Sequence, residues 1–435
     1  MTAFRGAAAS GPVHDTDAVH SGRFLSCPSC GSEIKSPSDL RHAVARCRCR
    51  AYPCLEGVVI GDVDIREPLG AAIEAGDVTA SRRLLLGKHQ SKHDRLFAPG
   101  SPLTFQQFLR YNELVWLTDQ LGLRSLFLKL RPRRLFRQVV DSAQFNLYMR
   151  HRFCAPSLLA VMALLGVVRL RPGPALDAPS GMGHLLWVMS RLVPAEHLLC
   201  LDLMPSFAYS TRRFFVPEAA AAIAHDLNYP MPLADRSMAT IVSSDAIHYV
   251  QHKSLLVSEF RRVLTDDGIV IVSHMHNKLQ DNPAAGSPLT PRDYLALFDG
   301  FDVRLLPESV LLRAYLDGQP VDLSTPVPLE VLEKAPALVA VASKAPLPAA
   351  VPSVRADLAR AARGPAVNPL YRRRLDGGTP YFERVVPAGL VEEYPEMLET
   401  LPARVDAGAF DRGDEADLAR LLAAGALLDL PRHYC

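Results

Sequence analysis

From Ser157 onward the chain alternates short apolar, β-branched segments with helical ones, and this constrains the fold more than any other feature. A capped apolar helix spans Ser157 to Val168. Strands are then expected at 174–177, 198–202, 220–225, 239–243 and 268–274, with helices at 183–192, 206–215 and 254–264. Such alternation builds a parallel sheet covered by helices on both faces. Thr290-Pro291 opens a further helix with proline at its first position. Phe301–Leu306 and Leu338–Ser343 read as two more strands separated by a helical insertion. The 435 residues are enough for two or three domains at about 150 residues each. Apolar types at 49%, charged types at 22% and a net charge of +2 exclude a disordered or supercharged chain and leave no global nucleic-acid footprint.

The chemistry-bearing residues sit where those strands end. The first strand runs out as Asp177-Ala178-Pro179-Ser180-Gly181-Met182-Gly183, an acid followed by a glycine turn and a helix. Open α/β sheets bind ligands at the carboxyl ends of their strands, and Gly181 and Gly183 remove side chains where backbone must approach a ligand. A dinucleotide fingerprint would need glycine at 186, where Leu186 stands, which argues against a nicotinamide cofactor. Asp202 ends the second strand, where an acid can take both ribose hydroxyls of a nucleoside. Asp226 follows the third strand, where a carboxylate can accept from an adenine amine. Asp235-Arg236-Ser237 and then Glu259-x-x-Arg262-Val263-Leu264 with Gly268 complete the ordered set.

This set resembles the class I S-adenosylmethionine-dependent methyltransferases over roughly 172–275, with the end strands extending it to about 344. The resemblance implies a Rossmann-like seven-stranded sheet with its last strand antiparallel. It also implies that Asp177 anchors the glycine loop and the methionine amino group, and that Pro179, Gly181 and Gly183 form the cofactor turn. Asp202 would bind ribose, with Leu203 and Met204 against the adenine; Asp226 and Leu227 would hold the adenine edge; Ser244 would face the methionine part. Pro179 replaces the first glycine of the family loop, Ala239 a frequent aspartate, and Asp266-Asp267-Gly268 stands where Pro-Gly-Gly is usual. Methyl transfer is an in-line displacement, so alignment and desolvation are the protein's main tasks. An oxygen acceptor must also lose a proton, which suits histidine. His248, His274 and His276 are the expected catalytic candidates, and Asp245 and Tyr249 share their strand ends.

Five of the eight cysteines lie between positions 27 and 54. Cys27-Pro-Ser-Cys30, then sixteen residues beginning with Gly31, then Cys47-Arg-Cys49, gives two close thiol pairs able to close a tetrahedral zinc site, with Cys54 an alternative to Cys49 as fourth ligand. Four protein ligands leave no open position, so the Zn2+ would be structural. The string resembles the small zinc-ribbon modules that accompany methyltransferases.

The expected organisation is α/β: a disordered tail (1–22), a zinc ribbon (23–65), a helical cap (66–153), the methyltransferase domain (154–345), a Pro/Ala-rich linker (346–368) and a small helical C-terminal extension (369–435) whose clearest helix is Glu415 to Leu428, capped by Asp414. The segment 124–152 carries eight Lys/Arg and one acid, interleaved with aromatics. It reads as a solvated basic face or, in the sharper alternative, as a surface for an anionic substrate or RNA. The longest uncharged apolar run, Leu158–Val168, is far short of the ~20 residues a membrane span needs. The first 22 residues lack the apolar core of a secretory signal. The expectation is a cytoplasmic S-adenosylmethionine-dependent methyltransferase with a small-molecule acceptor taking the methyl on O or N. The alternatives are an RNA base methyltransferase and a non-enzymatic cofactor-binding protein that recruits partners.

Overall fold

The computed structural model describes residues 24–34, 42–86, 103–109, 147–281, 286–393, 396–432 and 434. The 1–22 tail and most of the basic 124–152 segment lie outside them.

One ten-stranded sheet organises the chain. In order of sequence its strands are β1 (His42–Arg46), β2 (Ala51–Leu55), β3 (Val58–Ile60), β4 (Ala175–Asp177), β5 (Leu198–Asp202), β6 (Ala221–Ala224), β7 (Met238–Ser244), β8 (Leu264–His276) and β9 (Asp302–Pro307). The short β10 (Val321–Asp322) lies outside the sheet, and β11 (Ala337–Ser343) completes it. Across the sheet the order is β1-β2-β3-β6-β5-β4-β7-β8-β11-β9. β6, β5, β4, β7 and β8 are parallel, and β11 runs antiparallel to both β8 and β9. These seven strands are the sheet expected from the sequence, including the antiparallel insertion.

Period-two side-chain placement makes two cores from one sheet. Along β8, Ile269 and Ile271 face one apolar layer and Val270 and Val272 the other. Leu198 and Cys200 alternate with Leu199 and Leu201 on β5 in the same way. Pro156–Met162 and His184–Met189 cover the first face, Lys253–Val263 and Pro291–Leu297 the second. Thr290 caps the last of these by accepting from the Asp293 amide. Thr104 and Gln107 bond each other's amides in a capping box.

The Glu259/Arg262 pair is a structural staple. Arg262 donates to Glu259, to Asp235 and to the carbonyls of Met231 and Leu233, while Glu259 accepts from the Met231 amide at 2.7 Å. The loop into β7 is thereby pinned to the helix that leaves it.

Three regions differ from the sequence reading. The cysteine-bearing module is not a free-standing appendage: β3 pairs in parallel with β6, so β1–β3 extend the main sheet. The Pro/Ala-rich stretch is not a free linker. β12 (Ala350–Val351) pairs with β10, a helix follows at Arg355–Ala361, and β13 (Pro365–Val367) pairs with β17 (Leu427–Asp429), while Val351, Val354 and Asn368 are buried. The C-terminal extension is not simply helical: β14 (Tyr371–Asp376), β15 (Thr379–Arg384) and β16 (Arg404–Asp406) form an antiparallel sheet. Its capped helix ends at Ala423, and Asp414 caps it as expected.

That region closes on the helix after the glycine turn. Tyr434 stacks on Phe105 with 5.0 Å between centroids, donates to the Arg150 carbonyl at 2.9 Å, and lies 3.3 Å from His184 Nε2. Arg191 stacks on Trp187 and pairs with Asp429 at 2.6 Å. No helix among the described residues is long and apolar enough to cross a membrane.

Candidate cofactor cleft and histidine cluster

A cleft of about 330 Å³ opens at the carboxyl ends of β4, β5, β6 and β7. Asp177, Pro179, Gly181, Asp202, Leu203, Met204, Asp226, Leu227 and Ser244 all line it, so the strand ends bring together residues that the sequence keeps up to 67 positions apart. Gly183 sits just behind, at φ 107, as the residue entering the helix His184–Met189. A Cβ there would stand 2.9 Å from the Thr211 Cα, so the turn is confined to glycine on two counts.

Asp202 ties this turn down. Its Oδ2 accepts from the Gly181 amide at 2.8 Å and its Oδ1 from the Met204 amide at 2.9 Å. The sequence reading gave the loop-anchoring role to Asp177. In the structure Asp177 is fully buried and neither carboxylate oxygen has a hydrogen-bond partner of ordinary geometry. Burial, with neighbouring Asp202 second, pushes the Asp177 carboxyl well above its usual range, and burial carries Asp202 up to about 7. A cleft wall holding two such acids is complementary to a cation and to hydroxyl donors. Asp226 uses Oδ1 to hold the Asn228 amide and side chain at 2.9 and 2.8 Å. Leu203 and Met204 are about half exposed, at 50% and 47%, and offer an apolar shelf beside Asp202.

Beyond Ser244 the cleft is lined by Asp245, Tyr148 and Arg152, and Asp245 leads to a polar network beside the cleft in which His248, His274, His276 and Glu308 lie outside the lining itself. Asp245 at φ 58 and His274 at φ 52 are two non-glycine residues in left-handed backbone, joined by a bond from the Asp245 amide to the Ser273 carbonyl at 3.0 Å. Strain of this kind, about 1–3 kcal/mol a residue, collects at functional sites. Asp245 Oδ2 accepts from the Tyr148 hydroxyl at 2.8 Å and faces Arg152 at 3.8 Å, and Oδ1 lies 3.8 Å from His274 Nε2. His274 Nδ1 meets Glu308 at 2.9 Å. Burial opposes charge on His274, but Glu308 and Asp245 outweigh it and raise the imidazole to about 9. Burial likewise opposes the Asp245 charge, and His274 and Arg152 overcome it and hold that carboxyl low. The other two rings are neutral: burial, then His276, brings His248 down to about 4, and burial and His274 lower His276. His248 and His276 stand 4.4 Å apart, His276 and His274 4.8 Å. The three catalytic candidates thus form one cluster. Sequence reasoning did not find Glu308 or Tyr148, whose only signals were an acid opening a helix 34 residues beyond His274 and an aromatic within the basic segment.

His184 packs into the aromatic core behind the cleft. It is 3% exposed among Phe105, Phe153 and Phe215, and burial drives its pKa far down.

In the module carrying β1–β3, Cys27, Cys30, Cys47 and Cys49 bring their sulfurs within 4.8 Å of one another. Cys27 and Cys49 are 3.4 Å apart and Cys47 and Cys49 3.7 Å. Zinc–sulfur bonds of about 2.3 Å set a tetrahedral edge of about 3.8 Å, so this donor set fits the ion. Cys54 points instead to the Tyr52 carbonyl, buried and raised to about 12.

Residues 176–272 match the family of methyltransferase domains. The chain carries a methyltransferase domain. Its Rossmann-like class I sheet is the one described above. A curated relative, malonyl-[acyl-carrier protein] O-methyltransferase of Laribacter hongkongensis (strain HLHK9), is 30% identical over 116 residues, which is 25% of this chain. The chain spans about two fifths, 39%, of that relative's length. Among solved structures, a Haloferax volcanii methyltransferase in complex with the Trm112 methyltransferase activator is 15% identical, covering 47% of this chain and 95% of that one at a TM-score of 0.33. Geranyl diphosphate C-methyltransferase from Streptomyces coelicolor A3(2) is 13% identical, covering 40% and 74%, at a TM-score of 0.30.

Proposed function

We propose that the protein transfers a methyl group from S-adenosylmethionine to an oxygen or nitrogen of a small-molecule acceptor. The observation that carries this reading is the pair of buried acids beside the glycine turn, one of them, Asp177, with both oxygens unpartnered. Buried carboxylates without partners are costly unless a ligand satisfies them. The cofactor supplies an activated sulfonium methyl, together with an ammonium and two ribose hydroxyls that are the missing donors.

Asp177 receives the ammonium. Asp202 keeps its two backbone amides and accepts ribose hydroxyls on its remaining lone pairs. Leu203, Met204 and Leu227 enclose the adenine, with Asp226 at its edge, and Pro179, Gly181 and Gly183 give the backbone its close approach. Ser244, whose hydroxyl is buried and unpartnered, faces the same cleft. The cluster of His248, His274 and His276 forms the acceptor side. His276 and His248, being neutral, are able to take a proton from an acceptor hydroxyl, whereas His274 is already protonated and acts as a fixed positive charge. The four thiolates of Cys27, Cys30, Cys47 and Cys49 hold a structural Zn2+.

Calorimetry with S-adenosylmethionine tests the binding half of this reading, and transfer of a tritiated methyl into RNA, protein and small-molecule fractions of a cell extract tests the acceptor. Binding together with label in the small-molecule fraction is expected. No heat of binding, or label confined to RNA, refutes it.

A further inference from the structure

Asp245, His274 and His276 place a carboxylate oxygen and two imidazole nitrogens within 4.8 Å of one another. We propose that these three side chains, joined by His248, bind a divalent first-row transition-metal ion at the acceptor end of the cleft. The site is distinct from the four-cysteine site. It deepens the methyl-transfer reading, because a metal there would hold the acceptor by a hydroxyl oxygen.

Four independent features converge. The first is orientation. His274 Nδ1 is engaged by Glu308 at 2.9 Å, which turns Nε2 toward Asp245 Oδ1 at 3.8 Å. That is beyond hydrogen-bond reach and close to the edge of about 3.4 Å expected for ligands on metal bonds of about 2.1 Å. A carboxylate behind a histidine is the usual outer support of a metal-bound imidazole. The second is division of labour on Asp245. Tyr148 and Arg152 occupy the side of Oδ2 and leave Oδ1 on the histidine side. The third is His248. It is 1% exposed, neither ring nitrogen has a hydrogen-bond partner, and its ring lies 4.4 Å from that of His276. A buried imidazole without partners is unstable unless something satisfies it, and a fourth ligand position does so. The fourth is backbone. Asp245 and His274 both sit at left-handed φ where the parallel β7 and β8 end side by side, and strain of this kind collects at functional sites.

Donor chemistry sets the class of ion. Two or three imidazoles and one carboxylate favour zinc, cobalt, nickel or iron(II) over magnesium and calcium, which prefer oxygen. An acceptor hydroxyl on such an ion loses its proton more readily, as bound water does. His248 and His276 would then serve as ligands rather than bases, and His274 would give up its Nε2 proton to solvent on binding the ion, keeping Nδ1–H toward Glu308 instead of carrying a fixed charge.

The test uses the full chain loaded with zinc and titrated with Co2+ in the absence of S-adenosylmethionine, so that it stands or falls apart from cofactor binding. One further equivalent should bind, with a visible cobalt spectrum that lacks sulfur charge transfer. His276→Ala should lose that equivalent and keep the cysteine-bound ion. Glu308→Gln, which touches no metal, should weaken Co2+ binding by about 10–100-fold. Histidine ring resonances in the wild-type chain, followed during Zn2+ addition, need no variant, and the imidazoles of His248, His274 and His276 should shift together. A zinc-loaded chain that takes up no second ion, or a His276→Ala protein that binds it equally well, overturns the site.

Discussion

Cofactor binding should expel protons, and the structure says how many. Asp202 titrates at about 7 and Asp177 well above its ordinary range, because burial removes water from both carboxyls. An ammonium beside Asp177 and hydroxyls on Asp202 favour the ionised forms, so binding returns both acids to low pKa. From a pKa of about 7, Asp202 releases roughly 0.9 proton at pH 6, about 0.5 at pH 7 and almost none at pH 8.5. Asp177 adds its own share, which persists to higher pH. Affinity should therefore fall on acidification, by up to about tenfold per pH unit for each proton released. Isothermal calorimetry in phosphate and in Tris reads this directly, since the slope of apparent enthalpy against buffer ionisation enthalpy is the proton count. Asp202→Asn should lower that slope at pH 7 by about half a proton. It should also weaken binding, because one of the Gly181 and Met204 amides would then face an NH2 group, at about 1–3 kcal/mol. An enthalpy identical in both buffers at pH 6 and 7 would refute the assignment of these acids to the cofactor.

The same acids contribute to the pH dependence of the unliganded protein. Between about pH 4 and 7 native Asp202 keeps a proton that the unfolded chain has lost, so the urea stability of the wild type relative to Asp202→Asn should fall as pH rises through that window. Gly183→Ala forces a side chain onto left-handed backbone and against Thr211, and should cost about 2–5 kcal/mol in urea denaturation; an unchanged midpoint would contradict the turn geometry. Tyr434→Phe should cost about 1 kcal/mol through its lost hydroxyl bonds and Tyr434→Ala about 3–5 kcal/mol, and equal effects would show that the aromatic cluster contributes nothing. Cys47→Ser should lose bound zinc by elemental analysis while Cys54→Ser retains it.

The catalytic half of the fold was legible because each of its signals is local. Asp177, Asp202 and Asp226 each follow an apolar run by one or two residues, and the turn after Asp177 shows its own glycines. That the three histidines come together was legible for the same reason, since they lie at or just past the ends of neighbouring strands. What joins them was not. Glu308 reaches His274 only because β9 lies two strands from β8 and delivers a helix start to its end. The parallel pairing of β3 with β6 left no trace either, since Val58, Val59 and Ile60 look like any buried strand and nothing in three residues names the partner. The stretch 346–368 misled by composition: prolines there flank two- and three-residue strands whose partners, at Val321 and Leu427, lie tens of residues away. Short strands of this sort are made by tertiary packing rather than by propensity.

An unoccupied seat beside β6 would present raw main-chain donors and acceptors to any passing extended segment. In this protein β3 takes that seat, and the contact runs on past the strand: the Gly61 amide bonds to the Ala224 carbonyl at 2.8 Å, the Asp62 amide to His225 Nδ1 at 3.0 Å and the Asp226 amide to the Asp62 carbonyl at 3.2 Å. An outside strand donor would first have to peel away a covalently tethered competitor. Prying that tether loose would also free His225 and the Asp226 amide, so the wall of the cleft at Asp226 depends on a segment more than 160 residues earlier in the chain.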